Sequence, residues 1–134
     1  MGRSAAREKD LGDGPILVVD DDYAIRMAVS EILQFEGYSV ATAANGAEAL
    51  AAIERLKPSL VLLDMRMPVL DGWGFARALR ERGVQVPTVI MTAAHDAAVW
   101  ASEIGADGYL PKPFQIQELL DVVARHVSPT PEQA

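Results

Sequence analysis

A chain of 134 residues, half of them hydrophobic and 23% charged, has the size and make-up of one globular domain. Its formal charge of −7 and the lack of any basic run exclude broad electrostatic attachment to nucleic acid. Zero cysteines exclude disulfides, thiol nucleophiles and cysteine-zinc sites.

No stretch approaches the roughly 18 continuous apolar residues of a membrane span. The opening "MGRSAAREKDLGDGP" lacks the apolar core of a signal peptide. Residues 1–14 read as a loose tail and "SPTPEQA" at 128–134 as a fraying one, which leaves a single domain over 15–127. With no leader, no span and no cysteine, a cytoplasmic location is expected.

Within 15–127, apolar runs and helical patterns alternate five times. "PILVVD" (Pro15–Asp20) is a short β-rich run. "YAIRMAVSEILQFEG" sets Ile25, Val29, Ile32 and Leu33 on one helical face and stops at Gly37. "YSVATAA" (Tyr38–Ala44) reads as the second strand. In "NGAEALAAIERL", Asn45 as N-cap and Glu48 three residues on resemble a capping box, and Pro58 blocks continuation. "SLVLLD" is the third strand, and Asp71 caps "GWGFARALRERG", with Phe75, Ala76 and Leu79 inward. "PTVIMTA" (Pro87–Ala93) is the fourth strand, followed by a helix from about Asp96 to Ile104. "DGYLP" is a brief fifth strand, and "QIQELLDVVARHV" carries Ile116, Leu119, Leu120, Val123 and Val127 on one stripe.

Strands separated by helices of this length imply right-handed crossovers and an α/β fold, its parallel sheet covered on both faces. Continuously apolar strands agree with that burial. Ligands of open sheets sit beyond the carboxyl ends of the strands. Here the strand ends carry Asp20-Asp21-Asp22, Asp64, Thr92 and, after the fifth, Lys112-Pro113. Carboxylates a few Å apart repel strongly. Oxygen donors of this sort, few in number and with room for water and phosphate, suit Mg²⁺ best.

"VVDDD", "LLDMRMPVLDGWG", "MTA" and "GADGYLPKPF", in that order and at suitable separations, resemble the receiver domains of two-component response regulators. The resemblance runs from about Ile16 to Val127. It implies a flavodoxin-like (βα)5 doubly wound sandwich with strand order 2-1-3-4-5. It also implies that Asp64 is the phosphoacceptor, that Asp21 binds Mg²⁺ directly with Asp20 beside it acting through water, and that the backbone carbonyl of Arg66 is a further ligand. Thr92 then matches the hydroxyl that closes onto the phosphoryl group, Lys112 the lysine that pairs with it, and Tyr109 the aromatic switch. A cis bond before Pro113 belongs to the same pattern.

The implied partners are a sensor histidine kinase or a histidine phosphotransfer protein as donor, and an unidentified downstream protein. Neither direct nucleic-acid contact nor a membrane is expected, and a phosphorylation-dependent homodimer is a further expectation. The implied function is a switch whose fourth-helix, fifth-strand and fifth-helix face changes on phosphorylation, and which dephosphorylates itself. With no output domain after residue 134, it reads as a free-standing receiver. A phosphate relay or sink is the alternative. An aspartate-dependent small-molecule phosphatase wants a second acid two residues after the nucleophile, where Arg66 stands. A flavodoxin-like cofactor binder wants phosphate-binding loops rather than clustered acids.

Asp22 reads more naturally as a helix cap than as a ligand. Gly72 and Gly74 shape a helix entry rather than a phosphate loop. His95 and His126 lack metal-ligand spacing. Trp100 fits either the core or an exposed anchor. The resemblance implies that the side chains two residues past Asp64 and Thr92 influence access of hydrolytic water, and Arg66 and Ala94 there push opposite ways.

Overall fold

The computed structural model describes residues 13–127. The expected tails therefore lie outside the described residues, save Asp13 and Gly14. Ten main elements alternate: β1 (Gly14–Val19), α1 (Tyr23–Phe35), β2 (Val40–Ala43), α2 (Gly46–Leu56), β3 (Pro58–Asp64), α3 (Gly72–Glu81), β4 (Thr88–Ala93), α4 (Ala97–Ile104), β5 (Gly108–Lys112) and α5 (Ile116–Ala124). The five strands form one parallel sheet of order β2-β1-β3-β4-β5. This is the expected α/β arrangement.

Alternation along the strands divides the core into two layers. Ile16, Val18, Leu60, Leu62, Val89, Met91 and Leu110 pack with Val29 and Leu33 of α1 and Leu119, Val122 and Val123 of α5. The intervening Leu17, Val19, Val61, Leu63 and Ile90 pack with Ala49 and Ile53 of α2, Phe75 and Leu79 of α3, and Ala101 of α4. Burial on both faces is why these strands are continuously apolar.

The element ends differ from expectation where tertiary contacts decide. Gly14, assigned to the tail, opens β1 by donating its amide to the Lys57 carbonyl at 3.0 Å. A Cβ there would collide with the backbone carbonyls of Leu56 and Lys57, so glycine lets the two chains meet. The fourth helical segment begins as a 3₁₀ turn over Ala94–Asp96 before α4 proper. Ile116, expected on the buried stripe of α5, is 58% exposed. It opens the helix beyond the end of β5, and Leu119, Val122 and Val123 supply the core contact instead.

Candidate functional site

The parity of the strands assembles the site. Val19 pairs with Leu63, so the chain leaves the sheet side by side at Asp20 and Asp64. Val18, Leu62 and Leu110 face the α1/α5 layer. Asp20, Asp64 and Lys112, each two residues further on, continue on that face at the carboxyl end of the sheet. Thr92, buried at the end of β4, alternates to the other face with Ile90. The register pairs Ile90 with Tyr109 and Thr92 with Pro111, which sets Tyr109 diagonal to Thr92 on one face. Tyr109 is 47% exposed.

Asp20 is fully buried and held from several sides. Its Oδ1 accepts from the Asp22 amide at 2.9 Å and its Oδ2 from Lys112 Nζ at 3.0 Å. Its backbone carbonyl accepts from Arg26 Nη1 at 2.7 Å. Asp21 is exposed. Carboxylate oxygens of Asp20, Asp21 and Asp64 all lie within 4.8 Å of one another. Lys112 Nζ is 3.7 Å from Asp64 Oδ1, so in this state it bonds Asp20 and only neighbours Asp64. Asp22 stays out of the cluster, because its Oδ1 caps α1 through the amides of Ala24 and Ile25 at 2.9 and 3.2 Å.

Burial pushes the Asp64 carboxyl from 3.8 up to about 7, with repulsion from Asp20 adding, Lys112 opposing, and the charge and hydrogen bond of Asp21 adding again. Near neutrality Asp64 thus holds a proton for much of the time. A neutral carboxyl is a poor nucleophile, so added positive charge at this cluster would favour the reactive carboxylate.

A tight loop joins Asp64 to α3. Val69 takes φ 72°, and the Leu70 amide bonds the Pro68 carbonyl at 2.8 Å, which makes Val69 the centre of a γ-turn that β-branched residues adopt only under strain. The Gly72 amide donates to the Met65 carbonyl at 2.9 Å, and a Cβ on Gly72 would strike the Met65 side chain and stand 2.8 Å from its Cα. Asp71 Oδ1 caps the helix through the Gly74 amide at 2.9 Å. The glycines therefore belong to helix entry, and the loop fixes where residues 65–67 sit.

The remaining candidates find ordinary roles. His95 is largely exposed with Nε2 3.3 Å from Asp96, and His126 Nδ1 lies 3.0 Å from the Val122 carbonyl. The Lys112–Pro113 bond is cis. Trp100 packs against the edge of the α2/α3/α4 core layer rather than standing as an isolated anchor. Half-buried on α4, it meets Trp73 edge-on at 4.8 Å and lies under the Arg66 guanidinium at 4.9 Å. Sequence reasoning missed Arg26, Trp73 and the Val69 turn. Asp20 and Arg26 are six residues apart across a cap, a spacing that no helical or strand period marks.

The response regulator receiver domain model matches residues 16–124, and those residues include every member of the cluster. The chain belongs to the response regulator receiver family. Similar curated proteins include the response regulator MprA of Mycobacterium sp. (strain KMS), 47% identical over 107 residues that are 78% of this chain and 46% of that protein. The receiver thus spans just under half the length of these relatives. Among solved structures, the chemotaxis protein CheY4 of Vibrio cholerae aligns at TM-score 0.75 and 35% identity, over 84% of this chain and 97% of its own. The response regulator TrrA of Thermotoga maritima, in complex with Mg(2+)-BeF, aligns at TM-score 0.75 and 35% identity over 86% and 100%. The receiver is accordingly a phosphorylation-activated signalling domain of a two-component system. Among its described residues, no helix is long and apolar enough to cross a membrane.

Proposed function

We propose that Asp64 is the phosphoacceptor of this receiver, taking its phosphoryl group from a phosphohistidine on a sensor kinase or phosphotransfer protein. One observation carries the reading. Three carboxylates converge within 4.8 Å beside an ammonium, and Asp64 bears the cost in a pKa of about 7. The all-oxygen set fits Mg²⁺, with Asp21, Asp64 and the Arg66 carbonyl as direct ligands and Asp20 acting through water. The Mg(2+)-BeF complex of the Thermotoga relative supports that fit. When bound, the ion supplies the charge that neutralises the incoming phosphoryl oxygens and lets Asp64 ionise.

The chain's own residues do the rest. An Asp64 carboxylate oxygen attacks phosphorus, and the phosphorus–nitrogen bond to the donor imidazole breaks with its electron pair left on the ring. The Lys112 ammonium turns from Asp20 toward a phosphoryl oxygen, and the Thr92 hydroxyl donates to another. Tyr109, diagonal to Thr92, moves into the space Thr92 leaves. That repacks the α4–β5–α5 face, through which output passes to a downstream protein or a second copy of the chain. Water later attacks the phosphorus, the aspartyl oxygen–phosphorus bond breaks with its electron pair left on the carboxylate, and inorganic phosphate is released. A cytoplasmic location accompanies this donor class.

The test is acetyl phosphate with and without Mg²⁺, followed by intact mass. A single phosphoryl adduct that needs Mg²⁺ and is lost in Asp64→Ala is expected. An adduct that survives Asp64→Ala would refute the assignment.

A further inference from the structure

Arg66, Trp100, Trp73 and Glu103 form a continuous contact chain from the loop after Asp64 to α4. The Arg66 guanidinium covers the Trp100 ring at 4.9 Å, Trp100 meets Trp73 edge-on at 4.8 Å and 68°, and Trp73 Nε1 donates to Glu103 Oε1 at 2.9 Å. The edge contact with the ring at position 73, which phenylalanine can also supply, and packing against the core steady the Trp100 ring, so its face is a seat for a mobile cation. Arg66 is exposed, and its backbone lies two residues from Asp64, within an arginine's reach of anything attached there.

We propose that Arg66 is an anion-sensing arm with two seats, the Trp100 face at rest and the phosphoryl group on Asp64 when that group arrives, and that Trp100 is the positioning residue that sets the balance. This rests on the reading of Asp64 as phosphoacceptor. Magnitudes give the direction. A cation–π stack by an exposed guanidinium is worth about a two- to fivefold bias in an equilibrium. A charge-assisted hydrogen bond to a phosphoryl oxygen is worth about ten- to a hundredfold. Arrival of the anion therefore draws Arg66 away, uncovers Trp100 and releases a tether between the β3–α3 loop and α4. The reverse coupling is equal: whatever holds Trp100 against Arg66 weakens the grip on the phosphoryl group.

Two measurements on the full chain test this. In a Trp73→Phe background Trp100 is the sole tryptophan, and its emission is followed during Mg²⁺ and acetyl phosphate treatment with intact mass in parallel. The emission moves to longer wavelength in step with the adduct, as water replaces the guanidinium. With Arg66→Ala added, which keeps the backbone carbonyl, the emission starts at longer wavelength and does not move with whatever adduct the intact mass records. Separately, Trp100→Leu binds beryllofluoride with Mg²⁺ about two- to fivefold more tightly, and Arg66→Ala in the same chain abolishes the gain. An adduct without an emission shift, a shift that persists in Arg66→Ala, or a Trp100→Leu affinity that is unchanged or weaker overturns the arm alone. No adduct in the parent chain overturns the phosphoacceptor reading and the arm with it.

Discussion

At the scale of single residues, the Asp64 carboxyl is placed at a cost in stability. The Asp64 carboxyl ionises near 7 in the fold against 3.8 ordinarily, so between those values the native state keeps a proton that the unfolded chain has released. Native stability therefore falls as pH rises through that window, and the loss is complete above it. Asp64→Asn should abolish that slope. It should stabilise the metal-free protein by about 1–2 kcal/mol at pH 8, after allowing for solvent screening, and by almost nothing at pH 4. Thermal melts across pH check this, and a variant less stable at pH 8 would contradict it. Asp21→Asn, on an exposed carboxylate, should leave the fold as stable or more so while weakening Mg²⁺ by about tenfold or more. Unfolding, or unchanged Mg²⁺ affinity by calorimetry, would dismiss Asp21 as a ligand. Asp20, Asp64, Thr92 and Lys112 stood out in the sequence because each stands at or next to the carboxyl end of a strand. Arg26 did not, because a guanidinium that bonds a backbone carbonyl leaves no mark on any side-chain pattern.

Among the elements, the loop from β3 to α3 carries the clearest stored strain. Val69 holds φ 72° while 80% exposed, so no packing compensates for the conformation. Val69→Gly should raise stability by about 1 kcal/mol, relief of the backbone exceeding the entropy gained by the unfolded chain. A lower melting temperature would show that the turn is not strained. Gly72→Ala should act the opposite way, costing about 1–3 kcal/mol as its Cβ meets Met65. The elements themselves were readable from periodicity and breakers: Asn45, Asp71 and Asp22 cap the helices they precede. The Asn45–Glu48 box is shifted, since Glu48 Oε1 accepts from the Ala44 amide at 2.8 Å rather than from Asn45. Boundaries failed where a distant strand decided them, as with Gly14 against Lys57, and where α5 outran the sheet at Ile116.

For the whole molecule, a parallel sheet sealed on both sides by helices leaves the carboxyl rim as the place where polar chemistry can open to solvent. The order β2-β1-β3-β4-β5 makes β1 and β3 neighbours, so the acids at 20, 21 and 64 meet although more than forty residues part them. Alternation alone announced the layers, and the family likeness supplied the order. The Arg66–Trp100–Trp73 contact needed the actual approach of α3 and α4. A cation that binds only the native cluster must stabilise the fold: Mg²⁺ at a hundred times its Kd should add about 2.7 kcal/mol and raise the Tm by roughly 10 °C.

That a divalent cation is what turns Asp64 into a usable carboxylate is tested most directly by counting protons as Mg²⁺ binds, using calorimetry in buffers of different ionisation heat. With the Asp64 pKa raised to about 7, binding at pH 7 should release a clear fraction of a proton and at pH 9 much less, and Asp64→Asn should release none at either. Mg²⁺ binding at pH 7 with no proton released, or no Mg²⁺ binding at all, would contradict it.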